Sequence, residues 1–261
     1  MPREPEQLKV QVNERESVTA LLYPSAKANG KRVTLILGHG AGGNQLSGFM
    51  RLFAGGLSAR GLDTVTFNFL YSELGRSGPD PKARLESCYR AVIETLLVHK
   101  KLTENRLVIG GKSMGGRIAS QVAAELTEFT KLTGSGQKTT ELKGKNNPVP
   151  TSTLKANSIA GLVFLGYPLH PPGRPDQLRD KHLQSIRAPM LFVQGTRDSF
   201  GTPDELRGVI KRLDLPATLH LIESGDHSFK VTRSAGLSQE QVYESIMDVI
   251  VDWLGLKLFE K

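Results

Sequence analysis

One cysteine in 261 residues, Cys88, removes disulfide frameworks and cysteine metal clusters from consideration. It falls in the helix-like stretch 84–100, where it reads as a small buried side chain. No apolar run approaches the ~20 residues that cross a bilayer. The opening Met-Pro-Arg-Glu-Pro-Glu-Gln has no apolar segment of signal-peptide type. The expectation is a soluble, cytoplasmic protein without a membrane partner. No His-Glu-x-x-His or other clustered ligand spacing occurs, so neither a metal nor a cofactor is expected.

The formal charge of +8 points toward nucleic acid only until its distribution is read. The segment 131–157 carries Lys131, Lys138, Lys143, Lys145 and Lys155 against Glu141, half of the net excess. That segment is rich in Gly, Ser, Thr, Asn and Pro, and it reads as a mobile basic surface insertion. It lacks the interleaved aromatics that stack bases, so nucleic acid is disfavoured. An acidic protein partner on this insertion stays open.

What the chain does have is alternation. Short β-rich runs at 8–12, 18–23, 33–37, 64–69, 106–109, 160–165, 189–193 and 217–222 are separated by helical patterns at 46–60, 81–99, 114–130, 175–186, 203–213 and 238–254. This order predicts an α/β fold: a mostly parallel, eight-stranded sheet with helices on both faces. With no internal repeat and no credible boundary, one domain over 1–261 is expected.

Gly111-Lys112-Ser113-Met114-Gly115 spells G-x-S-x-G between the fifth strand and the helix behind it. In that context the serine sits on a sharp strand-to-helix turn with its hydroxyl exposed, and the flanking glycines let the neighbouring elements approach. A serine hydroxyl is a poor nucleophile near neutrality and needs a base. The loops at the carboxyl ends of the later strands supply one. Gly195-Thr196-Arg197-Asp198 offers a carboxylate 85 residues beyond the serine, and Gly225-Asp226-His227-Ser228-Phe229 offers an imidazole. The chain order Ser113, Asp198, His227 is that of an α/β-hydrolase. His227 would take and return the proton, and Asp198 would hold its tautomer. Among the other histidines, His99, His182 and His220 fall within elements.

The developing oxyanion needs amide donors. Met114, the residue after the nucleophile, supplies one; the loop His39–Asn44 supplies the other, from Ala41 or, second, Gly42. His39 would brace that loop and, with Gly42, border the substrate. Tyr71, Glu73 and Arg76 follow the fourth strand and could shape substrate choice. The Arg76 fork suits a substrate carboxylate. His170 follows the sixth strand and is a candidate wall or substrate contact.

Two phosphate-binding patterns compete. A P-loop ending at Gly111-Lys112-Ser113 needs glycine at position 106, which is Arg106. Gly38, Gly40 and Gly43 complete G-x-G-x-x-G after a strand, but the acidic ribose partner would be Asp63, at the start of a strand rather than its end.

The segments LGHGAGGN, FNFLYSELGRSGPDP, GGKSMGGR, GYPLHPPGRPDQLRD, MLFVQGTRD and GDHSF together resemble the KANL/Tex group (testis-expressed protein thirty-like) of dienelactone-hydrolase-like α/β-hydrolases, over about residues 33–253. The resemblance implies the assignment Ser113, Asp198, His227 and leaves the substrate undefined. Some eukaryotic relatives serve in protein assemblies. The basic insertion departs from the compact family pattern. Short spans between the core strands leave little or no lid, which favours small soluble carboxylic esters, lactones or thioesters. The alternative is a binding or scaffold protein that keeps the hydrolase fold.

Overall fold

The computed structural model describes residues 4–27, 32–134, 158–232 and 236–259. Its strands are β1 (Glu6–Gln11), β2 (Ser17–Tyr23), β3 (Val33–Gly38), β4 (Asp63–Phe67), β5 (Arg106–Lys112), β6 (Ile159–Leu165), β7 (Met190–Gly195) and β8 (Ala217–Ile222). They form one sheet in the order β1-β2-β4-β3-β5-β6-β7-β8. β1 and β2 pair antiparallel, β2 meets β4 antiparallel, and β3 to β8 are parallel. The helices are α1 (Gly48–Ala59), α2 (Leu70–Glu73), α3 (Lys82–Leu97), α4 (Met114–Gly134), α5 (Pro203–Arg212) and α6 (Gln239–Leu258).

The central strands are mostly apolar because both of their faces are covered. Their alternation divides the residues between two cores. Val33, Leu35, Leu37, Val108, Val163, Leu165, Leu191 and Val193 pack with α1 and α6. Ile36, Leu107, Ile109, Leu162, Phe164, Met190 and Phe192 pack with α3, α4 and α5. Every parallel strand therefore ends on the same edge of the sheet, where open α/β sheets gather their ligands.

Several boundaries differ from the sequence reading. The fourth strand stops at Phe67, and Leu70–Glu73 forms a short helix in what read as a loop. Its first amides are satisfied locally, Tyr71 N–H donating to Asp80 Oδ2 at 2.8 Å. The stretch 175–186 is mostly turns, with a 3-10 helix only at Leu183–Ser185. Backbone hydrogen bonds there go to turns instead of a helical ladder: Gln177 N–H donates to the Arg174 carbonyl at 3.0 Å, and the Arg179 N–H is drawn back to the Leu169 carbonyl at 2.8 Å. Helix α4 continues to Gly134, so the first four residues of the expected insertion are helical. The remainder of that insertion, 135–157, lies outside the described residues.

Candidate active site

Strand β5 runs directly into the turn that carries Ser113, which adopts φ +50. Left-handed backbone is costly for a residue with a β-carbon, so the turn is held from both sides. The Ser113 N–H donates to the Leu165 carbonyl at 3.0 Å, and the Ser113 carbonyl accepts from Arg117 N–H at 3.1 Å. The glycines answer to space. A β-carbon on Gly115 would overlap the Gly38 carbonyl, and Gly111, at φ +151, sits against the same residue. Helix α4 can start beside β3 only because these side chains are missing.

Asp198 follows β7 and is buried, with 1% of its surface exposed. Such a carboxylate must be fully hydrogen-bonded. Its Oδ1 accepts the Phe200 N–H at 2.8 Å, and its Oδ2 accepts from His227 Nδ1 at 2.7 Å and Gln194 Nε2 at 2.8 Å. Gln194 is locked in turn: its Oε1 accepts the Tyr167 N–H at 2.8 Å and its Nε2 also donates to the Gly201 carbonyl at 2.9 Å. The sequence reading missed Gln194. Its signal was a glutamine inside the otherwise apolar strand MLFVQG, all six residues of which are buried.

His227 stands on a loop framed by Asp226, whose Oδ1 accepts from Ser228 N–H at 2.7 Å and Lys230 N–H at 2.9 Å. With Nδ1–H directed at Asp198, His227 Nε2 is the acceptor, 2.8 Å from Ser113 Oγ. The ring stacks on Phe200 with centroids 4.1 Å apart and planes at 28°. Asp198, His227 and Ser113, far apart in sequence, thus form one hydrogen-bonded chain.

The glycine loop after β3 packs on the elbow: the place of a Gly40 β-carbon is 3.7 Å from the Ser113 β-carbon. Ala41 and Gly42 are exposed at the tip of that loop, Gly42 with φ +70. Met114 is the first residue of α4, where helical amides have no partner within the helix.

Five of the residues considered for substrate contact have intramolecular partners. His39 is 1% exposed; its Nε2 accepts the Phe69 N–H at 3.2 Å, so its Nδ1–H donates to the Gly40 carbonyl at 2.8 Å. Burial holds its pKa below the ordinary imidazole value and keeps it neutral. It braces the loop, as the sequence reading expected. Tyr71 is buried under the same loop, its hydroxyl 3.5 Å from the Gly40 carbonyl. Arg76 pairs with the buried carboxylate of Asp80 at 2.9 Å. His170 is buried, with Nδ1 2.8 Å from the Pro171 carbonyl and Nε2 3.3 Å from Glu205 Oε2. It ties its loop to α5. Glu73 accepts from Thr19 Oγ1 at 2.6 Å and Asn68 Nδ2 at 2.8 Å, which fixes the strand end.

The phosphate readings find no support. Asp63 receives Ser25 N–H at 2.9 Å and Asn105 Nδ2 at 2.8 Å, at the end of the sheet opposite the glycine loop. Among the described residues no group of three His, Cys, Asp or Glu is arranged to hold a metal. Cys88 is buried, which pushes its thiol up to about 12 and leaves it unreactive. A groove of about 410 Å³ between α3 and α4, lined by Glu86, Arg90, Gln121, Glu125 and His182 among others, shares no residue with the Ser113 site. No described helix is long and apolar enough to cross a membrane.

A sequence model described as an alpha/beta hydrolase domain matches residues 31–255. Among solved structures, the chain is similar to an alpha-beta serine hydrolase homologue from Coxiella burnetii, at 17% identity and TM-score 0.66, covering 95% of this chain and 97% of that one. A dienelactone hydrolase from Anabaena variabilis matches at 18% identity and TM-score 0.66, covering 98% and 100%. A Pyrococcus furiosus esterase matches at 15% identity and TM-score 0.67, covering 98% and 92%. At these identities the likeness concerns the fold.

Proposed function

The chain belongs to the alpha/beta hydrolase domain family, and from that premise we propose that it is a serine hydrolase acting on a small carboxylic ester, or on a lactone or thioester, through an acyl-enzyme on Ser113. The observation that carries this reading is the chain Asp198 Oδ2 to His227 Nδ1 at 2.7 Å and His227 Nε2 to Ser113 Oγ at 2.8 Å, ending on a serine held at φ +50.

In the acylation step Ser113 Oγ attacks the substrate carbonyl while its proton passes to His227 Nε2. The imidazolium is stabilised by Asp198, whose charge is held by Gln194 and the Phe200 amide. The carbonyl oxygen, now negative, takes amide donors from Met114 and from Ala41 of the braced loop. His227 returns the proton to the leaving group. Water, deprotonated by the same imidazole, then attacks the acyl carbonyl and frees Ser113. No metal or cofactor enters the scheme.

Within the family we place the chain in the KANL/Tex group of dienelactone-hydrolase-like members, on the motifs given above. The scaffold reading has weaker support, because a protein that only binds has no need of a strained serine joined through a histidine to a buried aspartate. Short-chain p-nitrophenyl ester hydrolysis tests the proposal. Asp198→Asn should cost about 10⁴-fold in kcat on the serine-protease precedent. Wild-type protein that stays folded and turns over none of a panel of esters, lactones and thioesters would contradict it.

A further inference from the structure

Lys112, the residue before the nucleophile, plays no part in the proton relay, yet its side chain is turned toward it. Its Nζ donates to the main-chain carbonyl of His227 at 2.5 Å and lies 5.5 Å from the centre of the Phe229 ring. Gly166, at φ +70, leaves the necessary gap. The place of its absent β-carbon is 3.0 Å from both Lys112 Nζ and the His227 carbonyl oxygen, and 3.4 Å from His227 Nδ1. The charged groups acting on the ammonium are Asp198, beyond β7, and Asp226, on the His227 loop. Burial outweighs them and pushes Lys112 down to about 8.

An inward-turned ammonium is expensive to keep, and an apolar side chain of the same length would serve the packing as well. What methionine could not supply is a donor joining two particular backbones. Lys112 and Ser113 are consecutive, so a bond from Lys112 to the His227 carbonyl references the base to the nucleophile's own strand. His227 stands on the loop after β8, outside any strand or helix, and errors of about 1 Å in such a pair cost on the order of 10²-fold in rate.

We propose that Lys112 is a positioning residue of this site, clamping the His227 main chain to the elbow strand so that the imidazole stays within hydrogen-bond reach of Ser113. The kinetic part of the inference rests on the hydrolase reading; the geometric part does not.

The test compares wild type with Lys112→Met, which removes donor and charge, and Lys112→Gln, which keeps a neutral donor. Crystal structures of wild type and Lys112→Met should show the His227 Nε2 to Ser113 Oγ distance opening beyond about 3.5 Å in the variant. With a p-nitrophenyl ester, kcat should fall about 10- to 100-fold with KM nearly constant, and Lys112→Gln should recover part of the loss. If Lys112→Met does not fold, the shorter Lys112→Gln is read by the same crystallographic distance and the same kcat, and wild-type values for both overturn the proposal. An intact His227–Ser113 bond in the Lys112→Met crystal, or an unchanged kcat, overturns the proposal. Wild-type protein without hydrolysis sinks the hydrolase reading instead, and the crystallographic comparison still decides the clamp.

Discussion

Gln194 and His227 donate to the same oxygen of Asp198, at 2.8 and 2.7 Å. The carboxylate that orients the candidate base is thus itself oriented from within the core, by a side chain on β7. Because Gln194 also bonds Tyr167 and Gly201, the two loops that follow β6 and β7 at the carboxyl edge of the sheet share one amide group.

Gln194→Leu should therefore damage both stability and turnover. It removes the donors to Asp198 and Gly201 and the acceptor for Tyr167 in a buried setting, and a buried polar group left unpaired costs about 1–3 kcal/mol. Urea unfolding should show a loss of that order, and kcat/KM should fall about 10-fold or more as the His227 ring loses its fixed partner. Unchanged kinetics in the folded variant would show that Asp198 needs no such support.

Gly115→Ala should be among the more damaging single methyl additions in the chain. The new β-carbon meets the Gly38 and His39 carbonyls, both backbone atoms that cannot swing aside. We expect about 2–4 kcal/mol of lost stability by denaturant midpoint. Gly48→Ala is the control: nothing lies within 4 Å of its β-carbon position and it stands in α1, so it should be neutral or stabilising by up to about 1 kcal/mol.

His182 sets a pH dependence. Burial holds its pKa down at about 4, and its Nε2 lies 2.7 Å from Ser120 Oγ. Ser120 Oγ already donates to the Arg117 carbonyl at 2.7 Å, so His182 must be the donor in its neutral form. Between about pH 4 and 6.5 the unfolded chain binds a proton that the folded chain refuses, so stability rises with pH across this window. It is complete above 6.5 and is lost as pH falls toward 4. Thermal unfolding from pH 7 to 4.5 should show a shallower slope for His182→Gln than for wild type; equal slopes would contradict the assignment.

Arg76→Ala should not discriminate between substrates. Its guanidinium is committed to Asp80 at 2.9 Å, so removing it should change kcat/KM for an anionic ester and its neutral analogue by the same factor. A selective loss on the anionic ester would restore Arg76 as a carboxylate-binding group.

The parts of the site that were legible in the sequence are those whose signal is local. Gly111 to Gly115 encodes its own turn, and strands with continuous apolar runs, such as β3 and β7, announce burial on both faces. Asp198 and His227 were found because strand order places their loops at one edge. The bracing of the glycine loop by His39 was legible as well, whereas the intramolecular partners of Tyr71, Arg76 and His170 were not, for the converse reason. Adjacency to the site is visible in sequence, but whether a ring nitrogen or guanidinium already has an intramolecular partner is decided by Phe69, Gly40, Asp80 and Glu205, which only folding brings near. Gln194 and Lys112 escaped notice because each acts through a tertiary contact with a residue that is not its neighbour in the chain. The 175–186 stretch misled because its composition allowed a helix while hydrogen bonds to residues outside it, such as Arg179 N–H to the Leu169 carbonyl, imposed turns.

The most direct test of the central claim is fluorophosphonate labelling followed by intact mass and peptide mapping, on wild type, Ser113→Ala and His227→Ala at pH 7.5. The account predicts a single adduct on Ser113 in wild type, none in Ser113→Ala, and labelling slowed at least about 10²-fold in His227→Ala. Folded wild-type protein that takes no label, or takes it at a residue other than Ser113, would contradict it.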